Sequence, residues 1–383
     1  MGQLLLESCL LKHLPNEYAK RGACLVLVAR RERSLQEVAE RAWGLGAPDV
    51  LVVRADVSKV EDCRNVVDRT MHHFGRCSTS TRMNAYKVME SHFMQHLPNE
   101  YAKRGACLVL VARRERSLQE VAERAWGLGA PDVLVVRADV SKVEDCRNVV
   151  DRTMQHFGSL DHLVNNAGMM SISLLEEAKD VTDFRTVMDT NFWGYVYMTR
   201  FAVPHLRNSE GRIVALSSSA SWLPAPRMSF YNASKAAIAQ FFETSRIEFG
   251  PHIGITLVTP GFEESELTKG KQMSKAGKLE VDQESRDAIV SMIPVQRVES
   301  CARGIVSSAC KGERYVTEPA WFRATFLWNI FCPEVIDWTY RLLYITCPGE
   351  SQKDAIGKKL VDFTGAKKFL YPETIKVPDP KTD

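Results

Sequence analysis

The amino-acid sequence contains a long internal duplication, and this feature most restricts the possible folds. Residues 13–75 recur at residues 96–158, and the copies differ only in having His72 in the first and Gln155 in the second. Solenoid repeats keep a packing pattern while their sequences diverge, and they need at least three units. Two nearly identical copies instead indicate a recent duplication or a misassembled gene, and only one copy can fill a given place in a single fold.

Each copy alternates apolar and amphipathic segments. In the second copy, Ala106–Ala112 and Val133–Val136 are apolar, and the amphipathic segment Ser117–Trp126 separates them. Strands that are apolar on both faces are typical of a parallel sheet that helices cover on both sides. The pattern predicts an α/β protein with a doubly wound parallel sheet. Because residues 96–158 lead directly into the next apolar strand at residues 160–168, we take the second copy as the native one.

The predicted domain organisation follows from the duplication. Residues 1–95 form an atypical N-terminal segment, residues 96–315 form the α/β core, and residues 316–383 form an aromatic extension with a polar tail. Residues 76–95 show neither helical nor strand periodicity, and they are predicted to be a poorly ordered connection. Residues 13–75 are then either an appendage or a replacement for a strand that the core lacks.

The composition argues against several classes of function. Fifty Lys and Arg against 47 Asp and Glu give a formal charge of +3, which is too balanced to indicate nucleic-acid binding. The ten cysteines form no CxxC pair and no Cys/His cluster with zinc spacing, so no metal site is predicted. No apolar run reaches the ~18 residues that a membrane-spanning helix needs. A small molecule is therefore the expected partner.

Several polar residues follow or flank the predicted strands. The sequence NNAG at residues 165–168 ends one strand, Ser218 ends another, and Asn191 lies between them. Tyr231 and Lys235 lie four residues apart, so on a helix they share one face and the ammonium favours the phenolate over its usual pKa of ~10. A serine hydroxyl at a strand end can stabilise charge on a substrate oxygen. Taken alone, each fragment has an ordinary structural interpretation, which is core packing or a solvated surface.

In combination these motifs resemble the classical short-chain dehydrogenases/reductases, whose Rossmann-like core carries NNAG, an Asn, a Ser and YxxxK in this order. The resemblance implies hydride transfer between a nicotinamide cofactor and an alcohol or ketone. It implies that Asn191 holds a water in a proton relay and that Ser218 orients the substrate oxygen. It also implies that Tyr231 exchanges the proton, while Lys235 lowers the tyrosine pKa and binds the nicotinamide ribose.

The same resemblance implies a set of cofactor contacts. After the strand that ends at Ala112, the family places an acid for the ribose of NAD or a basic residue for the extra phosphate of NADP. This chain has Arg113 and Arg114 there, so NADP is expected rather than NAD, although an ordinary solvated turn is the alternative. The other implied cofactor contacts are Asp139 and Val140 at the adenine, Asn165 and Gly168 behind the cofactor, and Pro260, Gly261 and Thr268 beside the nicotinamide.

The phosphate-binding turn of the family has no counterpart here. The family opens with a strand followed by TGxxxGxG, but no such sequence precedes His13 or His96, and no glycine lies between Gly75 and Gly105. Glycines there let a phosphate approach the backbone N–H groups at a helix N-terminus. The first strand and its glycine turn are therefore expected to be missing, and cofactor binding is expected to be weak. A catalytically silent relative at a lipid surface and a misassembled gene unable to bind cofactor remain alternatives.

From about Asn99 onward the chain resembles the plant hydroxysteroid dehydrogenases called steroleosins, which are similar to the 11-beta-hydroxysteroid dehydrogenases of animals. The stretches that carry the resemblance are SSSASWLPAPRMSFYNASKAA, TPGFEESELTKGK and RYVTEPAWFRATFLWNIFCPEVIDW. The resemblance implies an NADP-dependent enzyme that acts on a steroid- or sterol-like alcohol or ketone at the surface of the oil body or endoplasmic reticulum. Steroleosins begin with a hydrophobic anchor, and without such an anchor a cytosolic location is expected.

The C-terminal extension is rich in aromatic residues. Together with Trp222–Met228 and the segment after Gly261, it is the candidate wall of the substrate site. Such a stretch is compatible with contact to a lipid surface, and equally with packing on the core or on a second subunit in a homodimer. Its large apolar residues are Trp321, Phe322, Phe326, Trp328, Phe331, Trp338 and Tyr344.

Overall fold

The structure, a computed structural model, divides the chain into two compact units. The first unit is Met1–Arg82 and the second is Met83–Asp383. The boundary lies before the strand Ala85–Val88, whereas the sequence predicts it at residue 95. The residues that the structure describes are 3–5, 14–20, 23–30, 32–56, 59–73, 85–88, 96–265, 268–274, 276–291, 293–346, 354–372 and 375.

The first unit contains the first copy of the duplication. Its elements are β1 (Gln3–Leu5), α1 (Leu14–Ala19), β2 (Leu25–Ala29), α2 (Glu32–Gly44), β3 (Val50–Arg54) and α3 (Val60–His73). The three strands form a parallel sheet in the order β1-β2-β3. Leu25 and Leu27 of β2 pack against Leu35 and Ala39 of α2, so this copy buries a small apolar core of its own.

The second unit is built on a seven-stranded parallel sheet. The described strands of this unit, including two outside the main sheet, are β4 (Ala85–Val88), β5 (Leu108–Ala112), β6 (Val133–Arg137), β7 (His162–Asn165), β8 (Arg212–Leu216), β9 (Gly254–Val258), β10 (Lys271–Met273), β11 (Leu279–Val281) and β12 (Tyr315–Val316). The main sheet has the order β12-β9-β8-β7-β4-β5-β6, and β10 and β11 form a separate antiparallel pair. The predicted α/β fold with a parallel sheet is confirmed.

Helices cover both faces of this sheet. They are α4 (His96–Ala102), α5 (Glu115–Gly127), α6 (Val143–Phe157), α7 (Arg185–Met188), α8 (Gly194–Asn208), α9 (Ser229–Phe249), α10 (Gln283–Val290), α11 (Val298–Lys311), α12 (Arg323–Phe331), α13 (Pro333–Tyr344), α14 (Ile356–Thr364) and α15 (Lys367–Leu370). Leu108 and Leu110 pack with α5 and α11, whereas Val109 and Val111 pack with α6 and α8. Because alternate residues of a strand point to opposite faces, both faces of β5 are buried and the strand is apolar throughout.

The strand β4 lies in the middle of the sheet, in the segment predicted to be an irregular connection. Ala85 pairs with Leu108 of β5 on one side and with His162 of β7 on the other, both in parallel. The prediction of an irregular connection is therefore wrong for residues 85–88. Backbone N–H and C=O groups of two flanking strands can pair with almost any sequence, so a short strand without clear periodicity can fill this place.

The two copies of the duplication are each preceded by a strand in the same register. Gln3 pairs with Leu25 in the first unit, and Ala85 pairs with Leu108, the equivalent of Leu25, in the second. The sequences of β1 and β4 are unrelated, so the shared register does not depend on the sequence of the preceding strand. Residues 13–75 belong to the separate first unit and do not fill a place in the seven-stranded sheet.

The expected absence of a glycine turn concerns the connection between β4 and α4. Residues 89–95 contain no glycine, and they lie outside the described residues. The helix α4 that follows begins at His96 and carries Pro98 in its first turn, where a missing N–H group costs no helical hydrogen bond. The prediction that this turn cannot form the phosphate site of the family therefore stays a prediction.

Candidate active site

The candidate site lies at the carboxyl ends of the parallel strands, where open α/β sheets bind ligands. Residues 165–168 extend from β7, Ser217 and Ser218 follow β8, and Pro260 and Gly261 follow β9. These loops and the start of α9 surround one cavity. The predicted site residues that line it are Gly168, Ser218, Tyr231, Lys235, Pro260, Gly261 and Thr268.

Three of the four predicted catalytic residues line this cavity. Tyr231 and Lys235 lie one turn apart on α9, and the Ser218 side chain is close enough to the Tyr231 hydroxyl to lower its pKa. The Nζ atom of Lys235 donates to the backbone oxygen of Leu216 at 3.0 Å and lies 5.7 Å from the centre of the Tyr231 ring. The backbone N–H of Ala220 donates to Ser218 Oγ at 3.2 Å, which orients this hydroxyl.

The pKa of Tyr231 differs from the lowered value that the sequence analysis expects. Burial raises the pKa of Tyr231 well above its usual value, the negative charge of Glu263 adds to the rise, and the nearby Ser218 side chain opposes it. Burial also lowers the pKa of Lys235 to about 8, although Glu263 opposes this shift. The pKa of the phenol is thus raised by burial in this structure, and the expected lowering of the Tyr231 pKa is not seen. The protonated Tyr231 hydroxyl is suited to donate to a carbonyl oxygen.

Asn191 is fully buried behind the cavity, in a π-helical turn that spans Asp189–Trp193 between α7 and α8. Its Nδ2 donates to the backbone oxygen of Met169 at 3.0 Å and to Ser234 Oγ at 2.9 Å, and its Oδ1 accepts from the Met169 N–H at 2.8 Å. A Cβ atom on Gly168 would lie 3.6 Å from both Asn191 Oδ1 and Lys235 Nζ. Asn191 therefore ties the loop after β7 to α9 and adjoins Lys235 across a glycine.

The residues predicted to contact the adenine end lie at the same sheet edge but do not line the cavity. Arg113 and Arg114 follow β5 and are exposed, and Asp139 follows β6. The carboxylate of Asp139 accepts from the N–H of Ser141 at 3.0 Å and from its hydroxyl at 2.7 Å. Val140 is buried, and Asn165 Nδ2, also buried, donates to Thr199 Oγ1 at 3.0 Å.

Other cavity residues were not found from the sequence. Glu263 enters from the loop after β9, Arg286 from α10, and Tyr340 and Tyr344 from α13. The i and i+4 spacing of the two tyrosines indicates a shared helix face, but nothing local to the sequence indicates what that face contacts. Glu263 lies within the motif TPGFEESELTKGK, and the motif does not reveal which of its acids points into the cavity.

The fold and this site define an oxidoreductase of the short-chain dehydrogenase class. A family model for short chain dehydrogenases matches residues 95–276. The chain is also 70% identical over 289 residues to the 11-beta-hydroxysteroid dehydrogenase A of Sesamum indicum, covering 76% of this chain and 83% of that protein. The 11-beta-hydroxysteroid dehydrogenase 1A of Arabidopsis thaliana is 56% identical with the same coverage. The chain therefore belongs to the short-chain dehydrogenase/reductase family.

Solved structures show the same fold. A short-chain dehydrogenase/reductase from Burkholderia phymatum, solved in complex with NAD, matches with a TM-score of 0.58 and 22% identity, covering 66% of this chain and 95% of that one. A short-chain dehydrogenase/reductase from Mycobacterium marinum matches with a TM-score of 0.55 and 23% identity, covering 63% and 95%. At this level of identity the likeness concerns the fold.

Proposed function

We propose that this chain is an NADP-dependent oxidoreductase that interconverts hydroxyl and keto groups of a steroid- or sterol-like substrate. The observation that carries the proposal is the convergence of Ser218, Tyr231 and Lys235 on one cavity. The relatives named 11-beta-hydroxysteroid dehydrogenase support the substrate class. The cavity wall also suits a rigid apolar substrate, since it includes Met170, Ile172, Leu223, Met228, Ile289, Ile293 and Phe322.

Ser218, Tyr231 and Lys235 each have a separate role in the proposed reaction. The hydroxyls of Ser218 and Tyr231 hold the substrate oxygen, and Tyr231 donates a proton to a ketone or accepts one from an alcohol. Lys235 holds positive charge beside the phenol, which stabilises negative charge as the proton leaves. The apolar wall excludes water and so strengthens these interactions. The bound nicotinamide supplies or accepts the hydride.

The residues present fit a nicotinamide cofactor at the ends of its site. Gly168 and Lys235 line the cavity side by side, and a Cβ atom on Gly168 would touch the Lys235 ammonium at 3.6 Å, so a glycine keeps this ammonium accessible to a ribose hydroxyl. Arg113, exposed at the end of β5, offers charge-assisted hydrogen bonds to the 2′-phosphate that distinguishes NADP from NAD. By the resemblance, the turn for the pyrophosphate would fall before α4, and residues 89–95 of the sequence contain no glycine. This last feature favours the second candidate function, a catalytically silent relative that keeps the fold without binding cofactor.

We further propose that helices α12 and α13 rest on the lipid surface of the oil body or endoplasmic reticulum. One side of α13 lines the cavity with Tyr340 and Tyr344, while Phe331 and Trp338 are 76% and 65% exposed. Aromatic residues of this kind favour membrane interfaces. None of the helices in the described ranges has the length and apolar character required to cross a bilayer. The other exposed apolar side chains here are Trp321, Phe326, Leu327, Trp328, Ile330, Val335 and Leu342.

The proposed function is tested by titrating the purified chain with NADPH and then adding a ketosteroid. Binding followed by substrate-dependent loss of NADPH absorbance supports the oxidoreductase. Binding without turnover on any hydroxysteroid or ketosteroid contradicts the substrate class. Absence of binding supports the silent relative, and activity that then appears after a strand and a TGxxxGxG turn are grafted before Tyr101 identifies the lost element.

A further inference from the structure

Glu263 lies in the catalytic cavity, and the proposed reaction assigns it no role. It is two residues beyond Gly261 on the loop after β9. Its backbone is held on two sides, because Thr268 Oγ1 donates to the Glu263 carbonyl oxygen at 2.6 Å and a parallel β-bridge joins Glu263 to Gln296. The position of the carboxyl group is therefore set by the loop rather than by a flexible surface.

The carboxyl group is enclosed and incompletely paired. Its Oε2 atom has no solvent contact and no hydrogen-bond partner among the residues that the structure describes. Two other charged side chains of the described residues line the cavity, Lys235 and Arg286. The guanidinium of Arg286 already bonds Asp287 at 2.7 Å. Lys235 is the cavity cation whose positive charge acts on the Glu263 carboxyl group and favours its ionised form.

An enclosed carboxylate interacts strongly with positive charge, because little water screens it. Burial raises the pKa of Glu263 to about 8, and Lys235 and the residue's own backbone N–H oppose the rise. Below this pH the unliganded site therefore keeps most of the Glu263 carboxyl groups protonated. A second positive charge in the cavity favours the ionised carboxylate.

We propose that Glu263 makes this site bind the oxidised, positively charged form of its nicotinamide cofactor in preference to the reduced, neutral form. The inference rests on the proposed function, since it concerns the same cavity. In ketone reduction, a bound reduced cofactor would give a hydride with its two electrons to the carbonyl carbon and would become a cation. The ketone oxygen takes the proton of Tyr231. Glu263 stabilises the ring charge that this step creates, and it assists reduction more than oxidation.

The experiment compares dissociation constants for NADP+ and NADPH, measured by calorimetry or by tryptophan fluorescence. Glu263→Gln keeps the shape but cannot ionise when a positive charge enters the cavity, and it is expected to weaken NADP+ about tenfold relative to NADPH. Glu263→Asp keeps a carboxylate and is expected to keep most of the preference. The control is Glu264→Gln, because Glu264 loses the same charge on the same loop but accepts from the Val298 N–H and does not line the cavity.

The outcomes separate the inference from the proposed function. If Glu263→Gln binds both forms with an unchanged ratio, the inference is wrong and the proposed function stands. If the unaltered chain binds neither form, the proposed function fails and the inference fails with it. A purely structural role would weaken both forms equally, which also contradicts the inference. Should Glu263→Gln not fold, Glu263→Met removes the charge with a side chain of similar length and replaces it in the comparison.

Discussion

The Nζ atom of Lys235 lies 5.7 Å from the centre of the Tyr231 ring, yet it does not make the phenol acidic. Its hydrogen bond goes to the backbone oxygen of Leu216, and burial of both side chains disfavours their charged forms. Tyr231 therefore stays protonated near neutral pH. This arrangement suits donation to a ketone, and it makes Tyr231 the first residue to test.

Tyr231→Phe is expected to lower turnover by at least about a hundredfold, because it removes the hydroxyl that exchanges the proton. The cavity keeps its shape, so the thermal unfolding temperature should change little. The matched control is Tyr101→Phe, since Tyr101 is also buried and its hydroxyl shares a hydrogen bond with His162 Nδ1 at 3.1 Å, but it does not line the cavity. Turnover in Tyr231→Phe equal to that of the control would refute the mechanism.

Arg113→Ala is expected to weaken NADPH about tenfold or more while leaving NADH nearly unchanged, because a charge-assisted hydrogen bond to the 2′-phosphate is lost. Dissociation constants for the two cofactors provide the measurement. Arg116→Ala is the control, since the Arg116 side chain is 94% exposed at the start of α5, three residues beyond Arg113. An equal loss for NADPH and NADH would show that Arg113 does not select the cofactor.

The stability of the protein should depend on pH through Glu263. The folded-state pKa of about 8 lies above the value of about 4.3 for an unfolded glutamate, so the folded state holds the proton more tightly. The free energy of unfolding therefore falls as the pH rises between these two values. Glu263→Gln lacks this decrease, and thermal unfolding of both proteins from about pH 5 to pH 8 measures the difference. Parallel curves would show that Glu263 titrates normally.

Removal of residues 1–82 is expected to leave the second unit folded, because the seven-stranded sheet contains no strand from the first unit. Removal of residues 1–95 also deletes β4, which separates β5 from β7, and should cause a large loss of stability. Circular dichroism and thermal unfolding of the two truncated chains test this. Equal stability would mean that β4 contributes nothing to the sheet.

Replacing Phe331 and Trp338 together with serine is expected to reduce flotation with phospholipid-coated triacylglycerol droplets several-fold, because apolar area is lost from the proposed contact. Ile247→Ser is the control, since Ile247 is 84% exposed but lies on α9 and not on α12 or α13. If the double variant floats like the unaltered chain but changes its oligomeric state, the surface is instead an interface between two copies.

The core of the fold could be predicted from local patterns. Apolar segments such as Leu108–Ala112 and Arg212–Leu216 belong to a sheet buried on both faces, and their apolar character depends only on their own residues. The spacing of Tyr231 and Lys235 places them on one face of any helix. Ser218 follows a strand, and the parallel direction of the strands brings all such ends to one edge. These properties follow from short-range periodicity and from the direction of the chain.

Tertiary structure determined the features that depend on contacts between residues far apart in the sequence. The sequence of Ala85–Val88 carries no clear strand signal, and it becomes a central strand because β5 and β7 offer backbone groups on both sides. The orientation of Glu263 depends on Thr268 and on the bridge to Gln296. The direction of the Tyr231 pKa shift depends on how many chain segments enclose the ring. Pairing and burial are properties of packed segments, so the residues by themselves do not determine them.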